Sequence, residues 1–137
     1  MGNHSLVFTF SGNVASGSAT ITSGSGSVAG TPTFSGNTMT VALTGVTNAQ
    51  RLTVNLSNVT STASEVLPNT AVTVGFLVGD TNGSSSVSAS DIGQAKSQSG
   101  QAVTAVNFRT DVTANGGSIS SSDVGLVKSV AGSVIAP

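Results

Sequence analysis

The hydrophobic positions of this chain change character part-way along it. Through residues 1–78 apolar side chains recur at every second residue, the period of a half-buried β-strand. Leu6, Phe8 and Phe10 alternate with Val7 and Thr9, and after turn residues Gly12-Asn13 and Ser16-Gly17 the run Ala19-Thr20-Ile21-Thr22 repeats the pattern. Ser27-Val28-Ala29 and residues 31–34 are weaker, because Gly30 and Pro32 interrupt them. Ser35-Gly36-Asn37 signals a turn into residues 38–43, where Met39, Val41 and Leu43 share a face. Residues 51–56 place Leu52, Val54 and Leu56 inward and Arg51, Thr53 and Asn55 outward. Residues 65–70 contain Pro68 and read as a loop, and residues 71–78 end the series with Val72, Val74 and Phe76 inward. Short strands at this spacing, separated by Gly, Asn and Pro turns, predict a mainly β fold: an immunoglobulin-like antiparallel β-sandwich over residues 1–78.

The strand around Leu6, Phe8 and Phe10 is terminal, alternating and free of Pro, Lys and Glu. Two readings follow from it. The strand completes a small sandwich within its own chain, or it is donated to a neighbour through an unprotected sheet edge.

Beyond residue 78 the alternation gives way to a tandem repeat. Asp91 and Asp123, Lys96 and Lys128, and Gly100 and Gly132 each lie 32 residues apart. The chain has five acidic residues, and four of them, Asp80, Asp91, Asp111 and Asp123, fall in the two copies. Calcium is bound by oxygens at positions 1, 3, 5, 7, 9 and 12 of a tightly curled loop. In the first copy these are Asp80, Asn82, Ser84, Ser86 through its carbonyl, Ser88 and Asp91, with apolar Val87 at position 8, the usual place for a residue that lets paired loops bridge, and a short helix over Ala89–Ser97. The second copy offers Asp111, Thr113, Asn115 and Asp123 but runs 13 residues from Asp111 to Asp123. The extra residue puts Val112 in the position of Asp80, so a bulge near Gly116-Gly117 is expected. Two carboxylates per loop place the affinity in the weak extracellular class, a Kd of roughly 10⁻⁴–10⁻³ M. The competing reading is an Asx-turn followed by a capped helix, with no metal. Val87, Ile92, Phe108, Ile119, Val124, Val127 and Val130 are the expected core of this segment.

The duplicated Asp80–Asp91 and Asp111–Asp123 loops with their helices resemble the dockerin-type calcium loop-and-helix module of bacterial secreted proteins, over residues 79–137. The β-rich segment before them resembles the immunoglobulin- or cohesin-like modules found upstream in such proteins. The resemblance implies structural calcium and a cohesin-like partner. That partner is read by residues at loop positions 10 and 11 and by basic residues on the helices: here Ala89, Ser90, Ser121, Ser122, Lys96 and Lys128.

Composition narrows the classes. Only 7% of residues are charged and the formal net charge is −1, so no basic stripe exists for nucleic acid or an anionic membrane. No apolar run is long enough to insert into a bilayer. Cysteine is absent, which excludes disulfides, thiolate metal sites and a cysteine nucleophile. The Ser, Thr, Gly and Asn surface suits a secreted or cell-surface protein. Gly24-Ser25-Gly26-Ser27-Val28-Ala29 loosely matches a dinucleotide fingerprint, but Gly30 and Pro32 leave no room for the helix, so a turn is expected. His4 is terminal and no serine has a base partner, so an enzyme is not expected. Asn55 and Asn58 begin Asn-x-Ser/Thr sequences and are candidate glycan sites. Two functions remain: a structural subunit that associates with other copies of itself head to tail, or a calcium-dependent anchor for a cohesin-like receptor.

Overall fold

The computed structural model describes residues 2–137, which form two compact units divided between Val74 and Gly75. The division falls inside the last strand, earlier than residue 78 where the change of period placed it.

The first unit consists of two antiparallel sheets. Its strands are β1 (His4–Thr9), β2 (Val14–Ser23), β3 (Ser27–Val28), β4 (Thr33–Ser35), β5 (Thr38–Thr44), β6 (Gln50–Ser61) and β7 (Thr70–Phe76), which runs on into the second unit. β5 is the centre of one sheet, with β1 along one side from His4↔Leu43 to Thr9↔Thr38. β3 and β4 share its other side, β3 beside Leu43 and Thr44 and β4 beside Thr38, Met39 and Thr40. Gly30 and Pro32 fall in the gap between them, as expected where proline has no N–H for a ladder. The second sheet has the order β2-β6-β7. The strand around Leu6 therefore pairs inside its own chain, and it lies at the end of its sheet.

The alternation of β5 and β6 sorts as expected. Met39, Val41, Leu43, Leu52, Val54 and Leu56 are all buried. Val59 is buried too, although it lies three residues after Leu56 and is out of phase with it. Asn58 explains this, since its φ of 52° marks a bulge. Between Ser57 and Thr60 β6 uses one residue more than β2 uses between Ser18 and Ser16, which turns Val59 back toward the core. Leu6, Phe8, Phe10, Ile21, Val72, Val74 and Phe76 are only half-buried, so the fully buried core belongs to the central strands.

The second unit holds α1 (Ala89–Ser97), a 3₁₀ turn (Phe108–Thr110) and α2 (Ser121–Ser129). The helices begin and end 32 residues apart, so the sequence repeat is a structural one. Each opens with Ser-x-x-Asp, in which Asp91 or Asp123 accepts the backbone N–H of Ser88 or Ser120. Lys96 and Lys128 lie in the last turns, where a cation complements the helix dipole. Val87, Ala95 and Val127 form the buried cluster, flanked by Leu77, Ile92, Val112, Val124 and Val130.

Two expectations about this unit are corrected. Phe108 is not core: it is 57% exposed, while Thr110 of the same turn is buried and its hydroxyl donates to the Asn107 carbonyl. Val112 packs on the cluster instead. Nor do the position-8 residues bridge one loop to the other. Val87, ahead of α1, exchanges backbone hydrogen bonds with Gly132 and Ser133, after α2. Ile119, ahead of α2, does the same with Gly100 and Gln101, after α1. This crossed closure relates the halves by an approximate two-fold.

Candidate functional site

The site is the pair of buried carboxylates that open the helices. Asp91 and Asp123 are both wholly inaccessible to solvent. A buried carboxylate survives only when its lone pairs are filled, and both are. Asp91 accepts from the Thr81 N–H at 3.0 Å, the Thr81 hydroxyl at 3.3 Å, the Asn82 N–H at 3.3 Å, the Ser88 N–H at 2.8 Å and the Ser88 hydroxyl at 3.0 Å. Asp123 accepts from the Thr113 N–H at 3.0 Å and hydroxyl at 2.8 Å, and from the Ser120 N–H and hydroxyl, both at 2.8 Å. Each carboxylate thus ties its helix N-terminus to the start of its loop. Among the described residues no buried side-chain polar atom lacks a partner.

These bonds also set the electrostatics. Burial by itself raises the Asp123 carboxyl, but the N–H groups of Thr113 and Ser120 and their hydroxyls outweigh it and hold the group far below the usual carboxylate range. Asp91 is lowered in the same way: desolvation raises it, and the Ser88 N–H and hydroxyl with the N–H groups of Asn82 and Thr81 more than offset that. A carboxylate depressed in the folded state stabilises the fold above its unfolded pKa, and that contribution disappears as pH falls through the folded value. The melting temperature followed by the helical signal at 222 nm is therefore expected to hold from neutral pH down to about pH 4 and then fall progressively below it. A melting temperature unchanged between pH 7 and pH 2 would contradict this.

The remaining loop residues curl around the other aspartates. Asp80 accepts the N–H groups of Gly83, Ser84 and Ser85, and Asn82 accepts a second bond from the Ser84 N–H. The Ser84 hydroxyl donates to the Ser86 carbonyl. Ser85 takes the bend with a φ of 66°, a left-handed conformation that a non-glycine residue adopts at a cost. In the second loop Asp111 accepts from Asn115 and Gly116, and Gly116 and Gly117 are both left-handed, where the extra residue is accommodated.

Not every candidate ligand occupies the position its spacing gave it. Counting from Asp111 puts Thr113 opposite Asn82, yet its N–H and hydroxyl bond Asp123 as those of Thr81 bond Asp91. Thr81 and Ser120, absent from the candidate set, belong to the network. Their signal was present in the sequence, since Thr81 and Thr113, and Ser88 and Ser120, obey the same 32-residue spacing as the aspartates. The spacing from Asp111 obscured it.

Asp80, Asn82, Ser84 and Ser86 offer only oxygen, the donor chemistry that a hard cation such as calcium takes. Asp91 is already engaged by five donors, so a cation drawing on it displaces some of them. Among the described residues no group of three or more His, Cys, Asp and Glu side chains converges. Of the remaining candidates, Ala89, Ser90, Lys96, Ser121, Ser122 and Lys128 are all exposed on the helices. Asn55 is half-buried on β6 and Asn58 is exposed at the bulge. Among the described residues no helix is long and apolar enough to cross a membrane. No protein-family model, curated protein or solved structure matches this chain.

Proposed function

We propose that this chain is a non-enzymatic structural subunit, secreted or displayed at a cell surface, whose copies associate head to tail. An immunoglobulin-like β-sandwich forms its first part and a dockerin-like calcium module its second. The observation that carries the reading is β1. It is an end strand with no Pro, Lys or Glu, and Val7 on it is 60% exposed. Sheet edges are ordinarily blunted by charge or proline, and one that is not is a template for another chain. A heterologous contact that does not close produces a filament. Calcium is a stabiliser in this reading, held by Asp80, Asn82, Ser84 and Ser86 with help from Asp91. It contributes folding free energy and performs no chemistry.

A second reading is favoured by the exposure of Ala89, Ser90, Lys96, Ser121, Ser122 and Lys128, the positions that dockerins use to engage a cohesin-like partner. One experiment addresses both. Purified protein is followed by electron microscopy and light scattering in about 10 mM calcium and in chelator, with and without a cohesin-type module. At the affinity given above, calcium stabilises the second unit by roughly 1.5–3 kcal/mol, seen as a higher melting temperature. Elongated assemblies of the chain alone support the structural subunit. A monomer at every concentration, captured by the cohesin-type module, replaces it with the anchor.

A further inference from the structure

Five large apolar side chains are prominently exposed among the described residues: Val7, Val66, Val106, Phe108 and Val134. Three of them belong to two features, each next in the chain to a charged residue, and the two charges are of opposite sign. The first is a projection on the connection between α1 and α2. Val106 is 95% exposed and Phe108 57% exposed; Arg109, next in the chain, is also exposed, and its Nη1 lies 3.1 Å from where a Cβ on Gly83 would sit. The turn that carries them is held from within: the Asn107 side chain accepts the Thr104 N–H at 2.7 Å and donates to the Ala102 carbonyl at 3.0 Å. An apolar pair displayed on a tied turn has little conformational freedom left to lose on binding.

The second feature is an open groove of about 420 Å³ in the first unit, where Phe10, Val14, Val59, Val66 and Leu67 supply apolar wall and Glu65 supplies charge. Its volume lies in the lower part of the range that admits small ligands and side chains, about 300–1,000 Å³. Glu65 is the chain's only glutamate, and its carboxylate is met within the chain by the Ser61 hydroxyl at 3.5 Å. In a chain of nine charged side chains other than histidine, a basic residue beside the projection and an acidic residue in the groove are a distinct match.

We propose that the Val106–Phe108 projection of one copy seats in the Phe10–Val59–Val66–Leu67 groove of the next, with Arg109 of the first facing Glu65 of the second. This rests on the self-association proposed above and adds a second contact to the one offered by the β1 edge. The contact joins different patches of identical chains, so each copy keeps a groove and a projection available to further copies. Confined to one short turn and one groove, the contact is weak singly and depends on concentration.

The test is sedimentation velocity over a protein concentration series, with circular dichroism to establish that each variant is folded. Phe108→Ser, Val66→Ser, Arg109→Glu and Glu65→Arg are each expected to shift the onset of association to at least about tenfold higher concentration. Arg109→Glu mixed with Glu65→Arg is expected to restore it, because each variant supplies the charge the other has lost. Association of all four variants at the wild-type concentration overturns this contact and leaves the structural-subunit reading in place. A wild-type chain that stays monomeric throughout overturns both. Loss of association without rescue in the mixture overturns the Arg109–Glu65 pairing specifically.

Discussion

Asp123→Ala is expected to destabilise the second unit by roughly 3–5 kcal/mol, the cost of removing a buried and fully bonded charge. The substitution strands the N–H groups of Thr113 and Ser120, both now bonded to the carboxylate. It also removes the tie between the start of the loop and the first turn of α2. A small unit whose buried cluster is Val87, Ala95 and Val127 has little with which to compensate. Urea unfolding at 222 nm, carried out in chelator, is the measurement. The chelator matters because it separates two roles for this carboxylate. If Asp123 stabilises by accepting these hydrogen bonds, the loss appears without calcium. If it stabilises only as a metal ligand, wild type and variant coincide in chelator and differ only in calcium. Asp111→Ala removes bonds to Asn115 and Gly116 in an exposed loop and should cost about 1 kcal/mol.

The second large effect belongs to the first unit. Gly24 has a φ of 92°, and a Cβ there would lie 2.7 Å from the Arg51 carbonyl oxygen and 2.9 Å from the Leu52 Cα. Both obstacles are backbone of β6, which is anchored by buried Leu52 and Val54 and cannot retreat. Gly24→Ala is therefore expected to cost roughly 2–4 kcal/mol from backbone strain and overpacking together. Gly12→Ala, whose Cβ would meet nothing within 4 Å, is the control and should stay within about 0.5 kcal/mol of wild type. Thermal unfolding followed at a β-sheet band checks the pair, and equal melting temperatures for the two variants would refute the close-approach argument. The glycine pattern that loosely matched a nucleotide fingerprint thus has a packing origin: Gly24 and Gly26 let the bend between β2 and β3 press against β6. A Cβ on Gly26 would lie 3.0 Å from Val46 Cγ2 and 3.2 Å from Leu52 Cδ1.

Much of the local structure was legible in the residues themselves. β5 and β6 follow from strict alternation, because a strand with one buried face reveals its period within a few residues. The bounds of α1 and the duplication of α2 follow from Ser88 and Asp91 recurring at Ser120 and Asp123, because a helix N-cap is a local device. The gap between β3 and β4 follows from Pro32. The buried pair at the helix starts is half legible: both aspartates stand out in a chain with so little charge, but the extra residue between Asp111 and Asp123 disguises the threonines that satisfy them.

What only the tertiary structure decided is non-local in each case. Whether β1 pairs at home is a competition between edges that the alternation of Leu6, Phe8 and Phe10 cannot express, and in this chain β5 takes it. The bulge at Asn58, which redirects Val59, depends on the register of β2 against β6, and a single strand's pattern carries no register. Phe108 looked like core because it is large and apolar, yet the 3₁₀ turn needed Thr110 inside and left the ring in solvent. Val87 and Ile119 find their partners after the opposite helix because of how the two halves close on each other. Residue type and local spacing set the elements and the placement of the carboxylates. The satisfaction of those carboxylates, and the surfaces left open around them, came from contacts between residues far apart in the chain.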